Sequence, residues 1–354
     1  MATTEQEASP GLPVEVSKIN RSLKQLWEQG GETLTKASLV NFAIYSEAPD
    51  ALRFNSNLMA EVTRDHACRA ILLAVNPAAV DRRVQAWITA HCHVSRAGSK
   101  QVCSEQVSVL LEGVDQTAMQ NILFSNLDSD LPLYFWWQGQ FSEQTNSPQL
   151  WTWVDRLFFD SQGWREPAEQ MRILQHSIRG SGSHAVLCDL NWRRLYYLRG
   201  ALAQSLDHPG AWEKLNNIDR LVISHDPEYW TTAVLLASWM ARQLGWELRG
   251  QGGAQGCYTF ALPAGDRQVQ VELSAVPGPW VSRVEVVDTA GARFQLAWNG
   301  TFLITSLSDY PDVKSLSPAG GTSLASVVSE ELSRGEEHRT YLAALALADQ
   351  IWAA

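Results

Sequence analysis

The stretch "LPLYFWWQG" (131 to 139) constrains the fold of this chain more than any other. Side chains on a strand alternate between faces, so Leu131, Leu133, Phe135 and Trp137 would point one way and Pro132, Tyr134 and Trp136 the other. Both faces are apolar. Such a strand needs cover above and below, which is the position of a central strand in a parallel sheet flanked by helices. Pro132 suits only the strand's first residues, because proline lacks the N–H that a ladder needs. A buried tryptophan removes ~150 to 250 Å² from water and contributes at most about 4 to 6 kcal/mol of gross burial energy. Trp137 and Gln138, followed by Gly139, fall at the carboxyl end of the strand, where open α/β sheets place ligand crevices. These two are therefore candidate binding residues.

The flanking chain repeats the pattern. "ASLVNFAIYS" (37 to 46), "RAILLAVN" (69 to 76), "VQAWITAHCHV" (84 to 94) and "EQVSVLLEGV" (105 to 114) read as strands. "ALRFNSNLMAEVTRDHA" (51 to 67) and "TAMQNILFSNL" (117 to 127) read as helices. Further strands at 185 to 190 and 220 to 226 alternate with helices at 192 to 206 and 232 to 246. This alternation predicts an α/β fold with a largely parallel sheet covered on both sides. After Gly250 the runs "CYTFAL", "RQVQVELSAV", "VSRVEVVD" and "RFQLAWNGTFLITSL" follow one another with short turns, an antiparallel meander closed by a helix over about 324 to 352. The expected organisation is an N-terminal arm and helix (1 to 34), an α/β domain in one or two halves (35 to 250), and a smaller antiparallel β-rich domain (251 to 354).

Composition narrows the class. Of 354 residues, 45% are hydrophobic and 19% charged, the balance of a globular protein with about two domains. The formal charge of -10 would repel nucleic acid and anionic lipid, so neither is an expected partner. No window reaches the ~18 uninterrupted apolar residues of a membrane span. The opening "MATTEQEASPGLPVEVSKIN" lacks the basic-then-apolar order of a secretion signal and reads as a mobile arm up to about Glu15. Five scattered cysteines with no C-x-x-C spacing argue against a disulfide framework and a zinc knuckle, and the expected compartment is the cytoplasm.

The common catalytic signatures are missing from the sequence. "GSGSHA" (180 to 185) follows a helix and precedes a strand, the reverse of a dinucleotide turn. There is no G-x-x-x-x-G-K-[ST], G-x-S-x-G or H-E-x-x-H. His91 and His93 share a strand face without a third ligand at metal-site spacing, so a hydrogen-bonded pair is the simpler reading. No catalytic residue, cofactor or metal is expected. One constellation stands out, "DLNWRRLYYLRGALAQSL" (189 to 206). Asp189 ends a strand, Asn191 offers a helix cap, and Leu195, Leu198, Leu202 and Leu206 line one side of the helix. Arg193 and Arg194 would sit in the first turn, where positive charge opposes the helix dipole by about 0.3 to 1 kcal/mol each. Either an anion or acidic partner surface compensates them, or Asp189 and Asp226 at neighbouring strand ends do. Asp160, Asp189 and Asp226 each follow an apolar run, so a polar rim along one sheet edge is expected.

Three blocks in order, "HACRAILLAV", "SDLPLYFWWQG" and "DLNWRRL" followed by "RGALAQ", resemble the glucose-6-phosphate dehydrogenase assembly protein OpcA family. "YWTTAVLLASWMARQLGW" is similar to that family's helix ahead of its β-rich end, so the likeness covers about residues 35 to 350. The resemblance implies a non-catalytic protein that binds glucose-6-phosphate dehydrogenase, promotes its active oligomer and regulates the oxidative pentose phosphate pathway. It also implies thioredoxin-linked redox control through cysteines, of which Cys68 alone lies in a shared block. Leu198 stands where many relatives carry an aromatic residue. The partner-binding surface expected on this reading comprises Trp137, Gln138, Asp189, Trp192, Arg193, Arg194 and Arg199. The alternative is an α/β sugar-phosphate or nucleotide-phosphate binder, or an enzyme, with Arg193 and Arg194 on a phosphate at the strand-end crevice.

Overall fold

The computed structural model describes residues 10–29, 34–94, 101–142, 148–206, 217–251, 256–263, 267–321, 323–334 and 339–353. The chain divides into two compact units: Met1–Phe159, Arg172–Cys188 and Ser323–Glu337 form the first, and Asp160–Met171, Asp189–Thr322 and His338–Ala354 the second.

The first unit is built on a sheet of β1 (Leu12–Val14), β2 (Leu34–Lys36), β3 (Asn41–Ser46), β4 (Arg69–Asn76), β5 (Arg83–Val94), β6 (Gln101–Glu112), β7 (Leu133–Gln138), β8 (Arg156–Phe159) and β9 (Val186–Asp189). Its helices are α1 (Ile19–Gln29), α2 (Ala51–Val62), α3 (Gln116–Ser125) and α4 (Pro148–Trp151), and α5 (Pro167–Ser181) leads into β9. The strand order is β1-β5-β6-β4-β3-β7-β8-β9, with β2 pairing β6. The ladders β6-β4, β4-β3, β3-β7 and β7-β8 are parallel, as the apolar runs require. Taken in chain order, β6-β4-β3-β7-β8-β9 is the 3-2-1-4-5-6 arrangement of the doubly wound dinucleotide-binding sheet.

The aromatic strand is core. β7 pairs with β3 from Asn41↔Leu133 to Ser46↔Gln138. Leu133, Phe135, Trp136 and Trp137 are buried, and Tyr134 is half-buried. Rings interlock across the ladder: Trp137 stacks on Tyr45 at 4.0 Å, and Phe42 meets Phe158 edge-on at 5.4 Å. Buried Asn41 fixes the entry into β7, donating to the carbonyls of Asp128 and Leu131 (2.9 and 3.0 Å) and accepting from the Asp128 N–H (2.8 Å).

Two expectations for the antiparallel edge fail. Leu12–Val14, expected in a mobile arm, pair with Ala86–Ile88, while residues 1–9 lie outside the described residues. Cys92 and Cys103 are joined by a disulfide. They are direct partners across the β5-β6 ladder, with Cα atoms 4.0 Å apart. A cross-strand pair of this kind depends on hairpin register, which motif spacing does not encode.

The second unit contains β10 (Ile218–His225), β11 (Glu247–Gln251), β12 (Cys257–Ala261), β13 (Gln268–Ala275), β14 (Val281–Asp288), β15 (Arg293–Trp298), β16 (Phe302–Leu307) and β17 (Tyr310–Pro318), in the order β11-β12-β13-β10-β14-β15-β16-β17. Every ladder is antiparallel except β10-β13. Its first helices are α6 (Leu190–Arg194), α7 (Tyr196–Leu206) and α8 (Trp230–Gln243). The expected terminal helix is two: α9 (Leu324–Leu332), which belongs to the first unit, and α10 (Arg339–Trp352), which belongs to the second. Residues 335–338, inside the expected single helix, lie outside the described residues. Thr231 to Ala241 are buried without a break, because α8 lies against β10 and β13 and also against α10. β10 and α8, grouped by sequence with the chain before Gly250, sit in the second unit, since β10 pairs with β13 and β14. Among the described residues no helix is long and apolar enough to cross a membrane.

A buried ion pair ties α9 to the first sheet. Arg156 of β8 meets Glu331 at 3.4 Å, donates to the Arg334 carbonyl, and lies over the Tyr134 ring at 5.3 Å. Both charged side chains are at most 5% exposed, so removing one partner strands the other in the core. Glu331→Ala should lose about 3 to 5 kcal/mol in urea unfolding, whereas Arg156→Met combined with Glu331→Leu should recover most of it. Equal losses in both variants would mean that packing, and not charge, holds α9.

Candidate functional site

The first place to look is set by topology. Strand order reverses about β3 and β7, and the carboxyl ends of β3, β4, β6 and β7 enclose a crevice of about 1150 Å³. Its floor is aromatic. Trp137 is 1% exposed, held between Tyr45 and Phe141 (5.7 Å), with its indole N–H on the Gln140 carbonyl at 3.2 Å. Gln138 exchanges two hydrogen bonds with the buried Asn55 of α2, at 3.0 and 2.8 Å. Both candidate residues therefore line the crevice, but as its supporting wall: the indole is packed and the amide is engaged. Gly139, at φ +112, turns the chain away from β7. Gly113, at φ +58, closes the β6 end, where a Cβ would sit 2.9 Å from the carbonyls of Ala79 and Asp81.

The turn after β3 decides what the crevice accepts. In a dinucleotide site this turn is glycine-rich, so that backbone N–H groups reach the pyrophosphate at a helix N-terminus. Here it reads Glu47-Ala48-Pro49-Asp50, and α2 starts at Ala51 with Asp50 as N-cap. Tyr45 donates its hydroxyl to Glu47; burial and that neighbour hold the phenol proton well above its ordinary range. Asp115 caps α3 by accepting from the Ala118 N–H at 2.7 Å. The charged residues lining the crevice among the described residues are Glu47, Asp50 and Asp115, all acidic.

The second constellation lies in the second unit, and its geometry corrects the sequence reading. Asp189, not Asn191, is the N-cap of α6, accepting from the Asn191 N–H at 3.0 Å. The helix ends at Arg194, so Arg193 and Arg194 occupy its last turn, where positive charge suits the dipole. A break at Leu195, which no glycine or proline signals, separates α6 from α7. Arg194 forks onto Asp160 at 2.7 and 2.6 Å, so neither Asp189 nor Asp226 is its direct partner. Burial works against the Arg194 charge, but the Asp160 carboxylate outweighs it and the pKa is raised. Asp226 instead accepts from the N–H groups of Glu228 and Gly278. Arg193 lies over the Tyr196 ring at 4.1 Å, and Arg199 over the Trp192 ring at 3.4 Å.

Asp189 is the centre of a closed polar network. It accepts from the Ser161 N–H and hydroxyl (3.1 and 2.7 Å) and from the Tyr341 hydroxyl (3.1 Å) as well as from Asn191. Asn191 donates to Ser161 and Thr231 and accepts from Thr232 at 2.6 Å. Ser161, Thr231, Thr232 and Tyr341 were invisible as site residues, because neutral side chains far apart in sequence carry no motif. Burial, and then the nearby Asp160 charge, push the Asp189 pKa up to about 7 against the pull of its Ser161 and Asn191 donors. His91 and His93, the other candidates for chemistry, bond Gln106 (2.8 Å) and Thr63 (3.2 Å).

Comparison with known proteins divides the chain in two along the sequence. Residues 59–176 match the family described as glucose-6-phosphate dehydrogenase subunit N-terminal domain, and residues 185–345 match its C-terminal domain. An OxPP cycle protein OpcA of Nostoc punctiforme is 25% identical over 225 residues, covering 61% of this chain. The chain spans about half of that relative's length, 47%. Among solved structures, the WlbA dehydrogenase of Bordetella pertussis, in complex with NADH and UDP-GlcNAcA, covers 90% of this chain and 96% of its own at 9% identity and a TM-score of 0.42. An oxidoreductase domain protein of Kribbella flavida gives the same coverage and score at 10% identity. Likeness at that level says nothing about chemistry.

The network makes stability depend on pH with a definite sign. Asp189 ionises near 3.8 when unfolded and near 7 when folded, so its contribution is full below pH 4 and is lost as pH rises through 7. Asp189→Asn, measured by urea unfolding from pH 4 to 8, should flatten that slope, which amounts to on the order of 4 kcal/mol for a fully buried group. Asp189→Ala should cost about 3 kcal/mol or more at pH 4, because it orphans buried donors, and the cost should shrink as pH rises through 7. An unchanged slope in Asp189→Asn would place the titration elsewhere.

Proposed function

The chain belongs to the OpcA family of glucose-6-phosphate dehydrogenase subunits, and from that premise we propose that it is a non-catalytic partner that binds the dehydrogenase in the cytoplasm and promotes its active oligomer. The observation that carries the reading is the pair of family matches, which run in order from residue 59 to residue 345. Two features of the fold support it. The β3 turn of a nucleotide-type sheet carries Glu47 and Asp50 where a phosphate cradle needs glycine. The polar cluster around Asp189 is consumed by its own hydrogen bonds, Arg194 by Asp160, and Arg193 lies on the Tyr196 ring, an arrangement of internal contacts and not of a phosphate site.

The proposed contact surface of the second unit is the ground around Tyr196, which is 41% exposed and carries Arg193 on its ring. A shallow cleft of about 450 Å³ beside it is lined by Tyr196, Tyr197, Arg199 and Gln204. Tyrosine and arginine together are the side chains that most often anchor an interface. Trp192 supports this surface through Arg199, which lies over its ring, whereas Asp189 is buried in its own network. The redox link falls on Cys92–Cys103, since Cys92 is exposed. Cys68, although in the shared block, is buried with its thiol pushed up to about 12, and Cys188 is likewise raised by burial. Thioredoxin is the proposed reductant of that pair.

Mixing the chain with the dehydrogenase of the same cell, with mass followed by light scattering and activity at low substrate, should give a heavier complex and raised activity. Tyr196→Ala should weaken the complex at least tenfold, while the free chain, which loses the Arg193 ring contact, still unfolds cooperatively. A mixture whose mass and activity equal those of the separate proteins, with and without reductant, would end the assembly reading.

A further inference from the structure

We propose that the crevice at the carboxyl ends of β3, β4, β6 and β7 binds an aliphatic ammonium cation, and that it excludes the phosphates for which this strand order is otherwise suited. The cavity is large enough for a small ligand, at about 1150 Å³, and its walls are largely apolar, with Phe54, Val75, Val114 and Met119 among them. Phe54 is 52% exposed although it lies on the crevice wall, so it offers a ring for a methylene chain.

Among the described residues the charge on the lining has one sign. Asp50 is already held by Arg53 at 3.1 Å. Glu47 and Asp115 are exposed on the rim. Glu47 takes one hydrogen bond from Tyr45 and Asp115 one from the Ala118 N–H, and a carboxylate has about four acceptor sites, so both retain capacity. Glu47 follows β3 and Asp115 follows β6, strands separated in the sheet by β4. A flexible stem with a positive group at one or both ends matches that layout, and the three N–H donors of an ammonium group match acceptors. A phosphate meets the opposite: acidic side chains at the starts of α2 and α3, and no glycine turn to bring backbone N–H groups to it.

The cation has two sources with one chemistry, a free polyamine or a lysine side chain of a partner protein. Calorimetric titration of the full chain at low salt with putrescine, spermidine and Nα-acetyl-lysine methylamide tests both, with NADP and glucose 6-phosphate as anionic comparisons. Saturable binding of an amine is expected, weakened by added salt and at least tenfold weaker in Glu47→Gln combined with Asp115→Asn. Asparagine keeps an acceptor for the α3 cap and both sites are exposed, so the variant should melt as the parent does. Binding of the free amines alone assigns a small molecule, and binding of the lysine amide assigns a side chain. No heat from any amine at millimolar concentration, unchanged affinity in the double variant, or saturable binding of either phosphate that the amines displace overturns the proposal. No dehydrogenase is present in the titration, so this outcome and that of the assembly experiment are read separately.

Discussion

The parallel pairing of Asn41–Ser46 with Leu133–Gln138 is the contact from which the rest of the first unit follows. β3 is buried at every position, so its backbone groups must be paired on both edges and its side chains covered on both faces. Those demands place β4 on one side and β7 on the other, and bring in helices to cover the faces. They also place the reversal of strand order at β3, which opens the crevice beyond the carboxyl ends. Asn41 secures the pairing from below, because its buried amide is satisfied only if the loop of Asp128 and Leu131 stands where it does.

Topology creates the crevice, and side chains decide its chemistry. A strand order associated with dinucleotides here ends in a turn of Glu47, Pro49 and Asp50, so the positive ends of the helices face the chain's own carboxylates. Trp137 and Gln138 are held by Tyr45, Phe141 and Asn55, which leaves them as walls and not as reactive groups. The sheet has the strand order of a nucleotide fold, and the turn after β3 lacks the glycines that would bring backbone N–H groups to a pyrophosphate.

What could be read from sequence was what a local period encodes. The apolar runs at 41 to 46, 69 to 76 and 133 to 138 announce buried strands because both faces are apolar, and the helices at α2, α3 and α8 announce themselves by length and spacing. Partnership across the chain could not be read. "RLVISHD" looks like one more strand of the first sheet, but its neighbours are β13 and β14, and pairing between runs leaves no mark on either. The same holds for Cys92 and Cys103, which become neighbours only through hairpin register. The arginine pair changes its setting for a smaller reason: the helix expected from Trp192 to Leu206 starts two residues earlier and breaks at Leu195, so α6 is five residues long and its arginines fall in the last turn. With that, the sign of the dipole term changes, and so does the need for an anion.

That change of sign relocates the unspent charge. In the second unit Arg194 and Asp160 neutralise each other in a fork, Arg193 and Arg199 lie on aromatic rings, and burial keeps the Asp189 pKa high among neutral donors. Because that polar network is satisfied from within, its residues specify packing more than they attract a ligand. In the first unit Glu47 and Asp115 stand on the rim of an apolar crevice with acceptor capacity remaining. A charge already matched by its neighbours changes little when a ligand arrives, whereas an exposed carboxylate beside apolar walls gains from a cation that desolvates it. The carboxylates with acceptor capacity to spare therefore stand at the crevice beyond β3 and β6, although the arginines are what the sequence brings forward.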